Sequence, residues 1–436
     1  MPTFASNVQP EQSGGIWYRY RQLDTTVPNV GNIRINVTLI GPTTTPLTND
    51  PAQAYWTASA YTTPNDKKCH SDYYMAMFST SGRKIGYGLS ADDGFVIHPM
   101  NLALVYTDNK DLMVQYGCFR KNDNDALKST CDVPVIYADI RIRPQDLTTQ
   151  KQAEFDKIIS TFLEPYCITA DDIPRVKSLS QPYCEFTAPP DCTTRMVKGL
   201  GEIVVKPGAT NNVPASKSGN SASACKWPLT IPGVKTHEPK NVTGLWYMYR
   251  KLYADEPNSV NQQYTVHNIG RGELPLSAIP AQWQWIEYSQ YNGENDKTCH
   301  TGFWTGAVGN NGQQIGFDVM TLGQPMPVLN NMNGLYYDNT KFSVDYGCII
   351  PNTKTNVCDK PFVYASTRGH PGKLSKADKD TFDSIINGLF QKYGCSVRDI
   401  PLIKFMDSKP ACKYAQPTEC ISKAIQGLVM ATKNVE

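Results

Sequence analysis

Residues 15–21 read Gly-Ile-Trp-Tyr-Arg-Tyr-Arg, and residues 244–250 read Gly-Leu-Trp-Tyr-Met-Tyr-Arg. The two segments are 229 residues apart, and further segments of this 436-residue chain are repeated at an offset of 227–230 residues. Asn-Asp-Lys-Lys-Cys-His at 65–70 returns as Asn-Asp-Lys-Thr-Cys-His at 295–300, and Tyr-Gly-Cys at 116–118 returns at 346–348. Self-similarity at one fixed period is the signature of a repeated structural unit. The sequence therefore predicts one domain that is present twice.

The two copies are separated by a stretch rich in Gly, Ser, Asn and Pro, at about residues 206–224. This composition is typical of an exposed, flexible linker. We therefore expect a first domain over residues 1–204, a linker over 205–224 and a second domain over 225–436.

Each copy contains eight short segments rich in Val, Ile, Tyr and Thr, followed by one segment with an apolar helical stripe. Consecutive strands joined by short turns suit a closed barrel, because closure removes the exposed sheet edges. The predicted fold class is all-β with flanking helices: two eight-stranded antiparallel up-and-down barrels, each with a C-terminal α-helix. The first-copy strands are predicted at 17–23, 32–41, 54–61, 72–78, 84–89, 102–107, 112–120 and 133–141. The helical stripes are Leu147, Phe155, Ile158, Ile159 and Phe162, and Leu374, Phe382, Ile385, Ile386 and Leu389.

The composition limits the class of function. With 42 basic and 40 acidic side chains the formal net charge is +2, and no Lys/Arg cluster offers a nucleic-acid footprint. No apolar run is long enough for a membrane span. The N-terminus lacks the apolar core of a signal peptide, so we expect the printed numbering to start at the mature chain.

Thirteen cysteines and two sequons point to an oxidising compartment. The cysteines form two sets of six plus Cys225, without a Cys-x-x-Cys pair. This pattern favours disulfides over zinc, and therefore a secreted, extracellular protein. The Asn-Val-Thr triplets at Asn36 and Asn241 are candidate glycosylation sites.

Three further motifs, in the same order in both copies, resemble the signatures of the lipocalin family. They are Gly-x-Trp at the first strand, an aspartate-bearing turn between two strands, and an arginine that ends the last strand. The region around Tyr116-Gly117-Cys118 is most similar to the retinol-binding protein and apolipoprotein D branches. Arg143 competes with Arg141 for the family's arginine, and Arg141 is preferred because it aligns with Arg368. The signature residues are Gly15, Trp17, Asp108, Arg141, Gly244, Trp246, Asp338 and Arg368.

The resemblance implies that each Trp lies across the closed end of its barrel with the Arg on its face, within about 6 Å. It also implies pairs among twelve cysteines, although six cysteines in each copy allow fifteen pairings. Cys225 is expected to be unpaired within the chain, or bonded to an N-terminal or partner cysteine. The implied pairs are Cys118–Cys131, Cys348–Cys358, Cys69–Cys167, Cys299–Cys395, Cys184–Cys192 and Cys412–Cys420.

Side chains alternate between the inside and the outside of a barrel strand. If Arg141 and Arg368 point inward, every second residue before them on the same strand also points inward. The resemblance places Gln115 inside as well. The first cavity is then mainly apolar with one amide, whereas the second holds a carboxylate. Asp345 would be protonated or would meet a protein cation, water, or a ligand donor or amine, unless the alternation is misassigned. The candidate ligand-binding residues are Met113, Gln115, Val135, Tyr137, Ser343, Asp345, Phe362 and Tyr364, with aromatic candidates Tyr55, Trp56, Tyr73, Tyr74, Trp283, Trp285, Phe303 and Trp304.

These features favour an extracellular carrier of small hydrophobic ligands such as retinoids, fatty acids, sterols, carotenoids or bilins. No Ser/His/Asp order, paired-carboxylate motif or phosphate loop stands out, and we expect no catalytic residues, cofactor or metal. Two alternatives remain: a structural or protein-interaction lipocalin with filled barrels, and a lipocalin-type isomerase. Cavity volume separates the carrier from the scaffold, and a perturbed titratable group facing the cavity is required for the enzyme.

Overall fold

Two closed barrels are formed by sixteen antiparallel strands, as the sequence predicts. The computed structural model describes residues 5, 7–24, 30–45, 50–63, 68–90, 97–121, 131–187, 225–234, 237–253, 258–274, 279–320, 328–338, 340–352, 354–409, 412 and 414. The predicted linker therefore lies outside the described residues, and the predicted domain limits stay a prediction.

The first barrel contains eight strands, each hydrogen-bonded to its neighbours in sequence, and β1 also pairs with β8 to close the sheet. Trp17 on β1 lies opposite Ile35 on β2, and Tyr18 lies opposite Ile140 on β8. The strands are β1 Gly15–Leu23, β2 Gly31–Thr44, β3 Pro51–Thr62, β4 Cys69–Ser79, β5 Arg83–Ser90, β6 Ile97–Thr107, β7 Leu112–Lys121 and β8 Cys131–Ile140.

The second barrel repeats this topology, with β9 pairing with both β10 and β16. Trp246 lies opposite Tyr264, the position that Ile35 occupies in the first copy. The strands are β9 Gly244–Tyr253, β10 Val260–Glu273, β11 Pro280–Tyr291, β12 His300–Gly309, β13 Gln313–Met320, β14 Val328–Tyr337, β15 Phe342–Asn352 and β16 Val357–Thr367.

An α-helix follows each barrel: α1 spans Thr149–Leu163 and α2 spans Lys376–Phe390. Thr148 and Ser375 cap them, because each side chain accepts a hydrogen bond from a first-turn backbone N–H. Short 3-10 turns span Pro10–Ser13, Pro144–Asp146, Glu164–Tyr166, Ala170–Asp172, Pro239–Val242, Pro371–Lys373, Gln391–Tyr393 and Val397–Asp399.

The buried faces of the helices differ from the predicted stripes at their last turns. Phe155, Ile159 and Leu163 are buried on α1, and Phe382, Ile386 and Phe390 on α2. Phe162, predicted to face the core, is instead 41% exposed and packs on Tyr106, with 4.6 Å between the ring centroids. Positions separated by four residues are fully buried, which adds Leu163 and Phe390 to the buried faces, while Leu389 is partly buried against the same core as predicted.

The disulfides correct most of the implied pairings. Cys348–Cys358 is confirmed. Cys69 pairs with Cys184 and Cys299 with Cys412, so the pairs Cys69–Cys167, Cys299–Cys395, Cys184–Cys192 and Cys412–Cys420 are wrong. The side chains of Cys118 and Cys131, and all of Cys192 and Cys420, lie outside the described residues.

The path of the chain after each helix explains these pairings. The segment after α1 runs along β2, where Asn32 donates to the carbonyls of Leu179 and Gln181, and so reaches Cys69 only at Cys184. Cys225 was expected to be unpaired, which is wrong because it bonds Cys395. Lys226 donates its backbone N–H to the Tyr393 carbonyl and holds that segment beside the end of α2.

Candidate functional site

One end of each barrel is sealed by the signature tryptophan and arginine. The guanidinium carbon of Arg141 lies 3.9 Å from the ring centroid of Trp17, and that of Arg368 lies 4.1 Å from Trp246. Both distances fall within the predicted range. Each barrel has a lipocalin-like fold. The Trp17 indole N–H also donates to the Ser13 carbonyl at 2.7 Å, which fixes the segment before β1 across this end.

The other signature residues have backbone roles. Gly15 has a φ of +95° and Gly244 a φ of +97°, in the left-handed region that favours glycine. A Cβ at either position would lie 3.2 Å from an arginine Nη1 atom. The Asp108 and Asp338 carboxylates accept hydrogen bonds from backbone N–H groups two to four residues further on and so hold their turns.

The second barrel encloses a cavity of about 110 Å³. Its lining is mixed, since aliphatic side chains alternate with polar ones on the inward face of the strands. The main apolar side chains are Val242, Met248, Val266, Ile286, Val308 and Met332. The charged, imidazole and amide side chains are His237, Lys251, Gln262, Gln284, Gln314 and Asp345.

Asp345 is the carboxylate of this cavity. The amide of Gln314 donates to Asp345 Oδ1 at 2.6 Å, and the Tyr337 hydroxyl donates to the same oxygen. Among the described residues, Oδ2 has no hydrogen-bond partner and no Lys or Arg forms an ion pair with the group. Burial raises the pKa of Asp345 to about 6, although these two hydrogen bonds oppose the shift.

Several polar atoms around the same cavity have no hydrogen-bond partner within the described part of the chain. They are both ring nitrogens of His237, the indole N–H of Trp304 and the side-chain oxygen of Gln262. His237 stacks on Tyr337, with 4.0 Å between the ring centroids. Burial lowers the pKa of His237 to about 4, so the imidazole is neutral at pH 7. Buried polar groups usually have partners, so these atoms are available to a ligand or to water.

The other second-barrel residues predicted from sequence surround this region. Tyr364 lines the cavity. Phe362 is 2% exposed and packs in one cluster with Trp304 and Met332. Ser343 is buried beside the Tyr264 hydroxyl.

The first barrel is more highly charged than the sequence interpretation allowed. Asp139 forms an ion pair with Arg19 and accepts a hydrogen bond from Gln115 at 2.9 Å. Gln115 in turn accepts from Lys84 Nζ at 2.8 Å. The expectation of a neutral, mainly apolar interior with one amide is therefore wrong, because two cations and a carboxylate surround that amide.

The remaining candidate ligand-binding residues of the first barrel lie in different parts of its interior. Met113 packs in the cluster that contains Trp17, near the sealed end. Val135 is fully buried with Leu102 and Tyr137. The Tyr137 hydroxyl donates to Asp24, and its ring lies 3.8 Å from the Arg19 guanidinium carbon. These side chains are packed inside the barrel, and their contact with a ligand stays a prediction.

Sequence reasoning missed Asp139, Arg19 and Lys84. The signal for Asp139 was present, because residue 139 shares the inward alternation of Tyr137 and Arg141. Arg19 shares the alternation of Trp17. The orientation of Lys84 could not be predicted in this way, because no residue of β5 had been assigned to the inward or the outward face.

The aromatic candidates divide between the two faces of the sheets. Trp304 lines the second cavity, and the rings of Tyr55 and Tyr74 each have their centroid 5.2 Å from Lys84 Nζ. Tyr73 instead donates its hydroxyl to the Thr187 carbonyl, outside the barrel, and Trp285 stacks on His267.

Three solved structures are similar to part of this chain. The amine-binding protein of Rhodnius prolixus, in its tryptamine complex, is 17% identical over 46% of this chain and 93% of that chain, with a TM-score of 0.30. Insecticyanin from the tobacco hornworm Manduca sexta is 10% identical over 44% and 92%, with a TM-score of 0.32. Lobster apocrustacyanin A1 is 11% identical over 39% and 81%, with a TM-score of 0.28. No ligand follows from likeness at this level.

No protein-family model matches the sequence. No curated protein matches it either. Within the described ranges, no helix is long and apolar enough to cross a membrane, and no group of three or more His, Cys, Asp or Glu side chains is placed to hold a metal ion.

Proposed function

We propose that this protein is an extracellular carrier that holds small hydrophobic ligands inside its barrels, and that the second barrel takes a ligand bearing an amine. The Asp345 carboxylate carries this proposal. It lines a largely apolar cavity, it has no cationic partner among the described residues, and its Oδ2 atom is not hydrogen-bonded. A buried carboxylate without a counter-ion is costly, and an ammonium group would remove that cost.

The size of the cavity favours a compact ligand. At about 110 Å³ it is of the same order as the roughly 150 Å³ engineered cavity that holds benzene. A single aromatic ring with a short aminoalkyl chain suits this space better than a retinoid, sterol or carotenoid. An open cavity also favours a carrier over a scaffold whose barrels are filled by side chains.

An oxidising compartment fits the four disulfides among the described residues. The two sequons are compatible with glycosylation in that compartment. Asn36 lies half-buried on β2, and Asn241 is exposed before β9. Their modification stays a prediction, which mass spectrometry of the secreted protein before and after deglycosylation would test.

The proposal is tested by calorimetric titration of the full chain with 2-phenylethylamine and with 2-phenylethanol, its neutral analogue. The amine should bind more tightly than the alcohol, because only the amine offers a cation to Asp345. Asp345→Asn should weaken amine binding by about 1.5–3 kcal/mol, or roughly 10- to 150-fold, the scale of a hydrogen bond to a charged group. The alcohol should be affected much less.

Asp380→Asn is the matched control, since Asp380 lies 62% exposed on α2. This change removes one carboxylate without touching the cavity and should leave both affinities unchanged. Equal binding of amine and alcohol, or an Asp345→Asn variant that binds the amine like the native protein, would contradict the proposal.

A further inference from the structure

Equivalent positions on two strands carry different charges in the two barrels. In the first barrel, Lys84 on β5 donates to Gln115 on β7 at 2.8 Å. The repeat offset of 230 residues places Gln314 and Asp345 at these positions, and there the amide donates to the carboxylate at 2.6 Å. A lysine–amide pair in one barrel is therefore an amide–aspartate pair in the other.

Lys84 has no carboxylate of its own. It forms no ion pair with any acidic side chain in the described part of the chain, and its Nζ atom donates a hydrogen bond to the neutral Gln115 amide. Asp139 is nearby, but Arg19 pairs with it and Gln115 also donates to it. Burial lowers the pKa of Lys84 to about 7, which the nearby Asp139 opposes. An anion beside Lys84 would stabilise its charged form.

A second unsatisfied donor lies next to this lysine. The Tyr55 side chain is 2% exposed, and its hydroxyl has no hydrogen-bond partner among the described residues. The Tyr55 ring centroid lies 5.2 Å from Lys84 Nζ, as does that of Tyr74. An ammonium and an unpaired phenol are therefore brought together in a buried, aromatic setting, which suits an acceptor with negative charge.

We propose that the first barrel binds an apolar ligand through a carboxylate group, which accepts hydrogen bonds from Lys84 Nζ and the Tyr55 hydroxyl. The inference rests on the proposed carrier function and names the ligand class of the first barrel. Gln115 positions the lysine, and Arg19 keeps Asp139 from neutralising it. The two barrels then select ligands of opposite charge.

The test is calorimetric titration of the full chain with decanoate and with decanol, its neutral counterpart. The native protein should bind decanoate at one site and at least tenfold more tightly than decanol. Lys84→Gln, which copies Gln314, should lower decanoate affinity by tenfold or more and leave decanol within about twofold. Tyr55→Phe should lower decanoate affinity by three- to tenfold. Lys157→Met, on the exposed face of α1, is the matched loss of one positive charge and should change neither affinity.

Decanol binding as tightly as decanoate, or an equal loss of both in Lys84→Gln, would overturn the carboxylate site while leaving the carrier function intact. Absence of binding by both probes would also overturn it, and 2-phenylethylamine binding in the same preparation reports separately on the proposed function. Because Lys84 is half-buried and forms no ion pair within the described residues, thermal unfolding should show a Lys84→Gln variant about as stable as the native protein. A variant that fails to fold is replaced by Lys84→Met, judged by the same two affinities.

Discussion

Asp345 shares its cavity with several other titratable groups, among them His237, Lys251, Tyr264 and Tyr337. Burial holds the pKa of Asp345 at about 6, that of His237 at about 4 and that of Tyr337 well above its usual range. Between pH 5 and pH 7 the histidine is therefore neutral and the tyrosine protonated. In this range the charge of the cavity changes mainly through Asp345.

Amine binding in the second barrel should consequently weaken in acid. An alkylamine stays protonated throughout this range, whereas Asp345 gains a proton as the pH falls through about 6. Affinity for 2-phenylethylamine should fall by about tenfold between pH 7 and pH 5, in proportion to the ionised fraction of the carboxyl group. Titrations at four pH values check this, and the amine affinity of the Asp345→Asn variant should not change with pH. A native profile as flat as that of the variant would mean that Asp345 does not bind the amine.

The alternation of strands predicts an inward Asp345 because β15 carries the aligned Tyr-Gly-Cys motif, and Asp345 lines the cavity. The same rule was applied to Tyr137 but not to Asp139, which lies two residues further along β8 and shares the same face. Lys84 required a structure, because a single strand without a reference residue does not reveal which face turns inward. The unpartnered Trp304 and His237 nitrogens are likewise properties of three-dimensional packing rather than of local sequence.

A buried arginine on the first strand of each barrel forms an ion pair with an aspartate of the helix that follows that barrel. Arg250 on β9 binds Asp383 on α2 with two hydrogen bonds of 2.9 Å, and the same guanidinium donates to the Ile400 carbonyl at 3.0 Å. In the first copy Arg21 binds Asp156 in the same way. Removing one partner leaves the other charge buried and unpaired, which costs more than the loss of an exposed pair.

Asp383→Asn should therefore lower the free energy of unfolding of the second domain by about 2–3 kcal/mol, somewhat less than for a fully buried pair because Asp383 is 29% exposed. Asp380→Asn, one turn earlier on α2, should cost under about 0.5 kcal/mol, since its pair with Lys376 is on the surface. Urea unfolding of both variants compares them directly. Equal losses would show that the strand–helix ion pair has no special role.

The strands and helices were predictable because their signal is local. Alternation and turn residues place β7 and β8 within about two residues of the observed limits, and capping residues mark where α1 and α2 begin. Disulfide partners were not predictable, since Cys184 meets Cys69 only because the chain after α1 first runs along β2. Such a path depends on tertiary contacts that cysteine spacing does not encode.

The two copies share the structural features that close and support each barrel, but they differ in the side chains inside it. The sealed ends, the aspartate turns and the strand–helix ion pairs repeat in both copies. The interior positions differ, since Arg19, Lys84, Gln115 and Asp139 correspond to Met248, Gln314, Asp345 and Ser366. The closed sheet keeps its strand-to-strand hydrogen bonds whichever of these interior side chains it carries. One scaffold can thus carry two different ligand sites.

We propose that the two barrels are separate sites with opposite charge preference. The most direct measurement is a competition titration, in which the full chain is saturated with decanoate and then titrated calorimetrically with 2-phenylethylamine, and the reverse. We expect one site for each probe, and the same Kd for each probe in the presence or absence of the other. Displacement of either probe by the other would contradict it, because both would then occupy a single site.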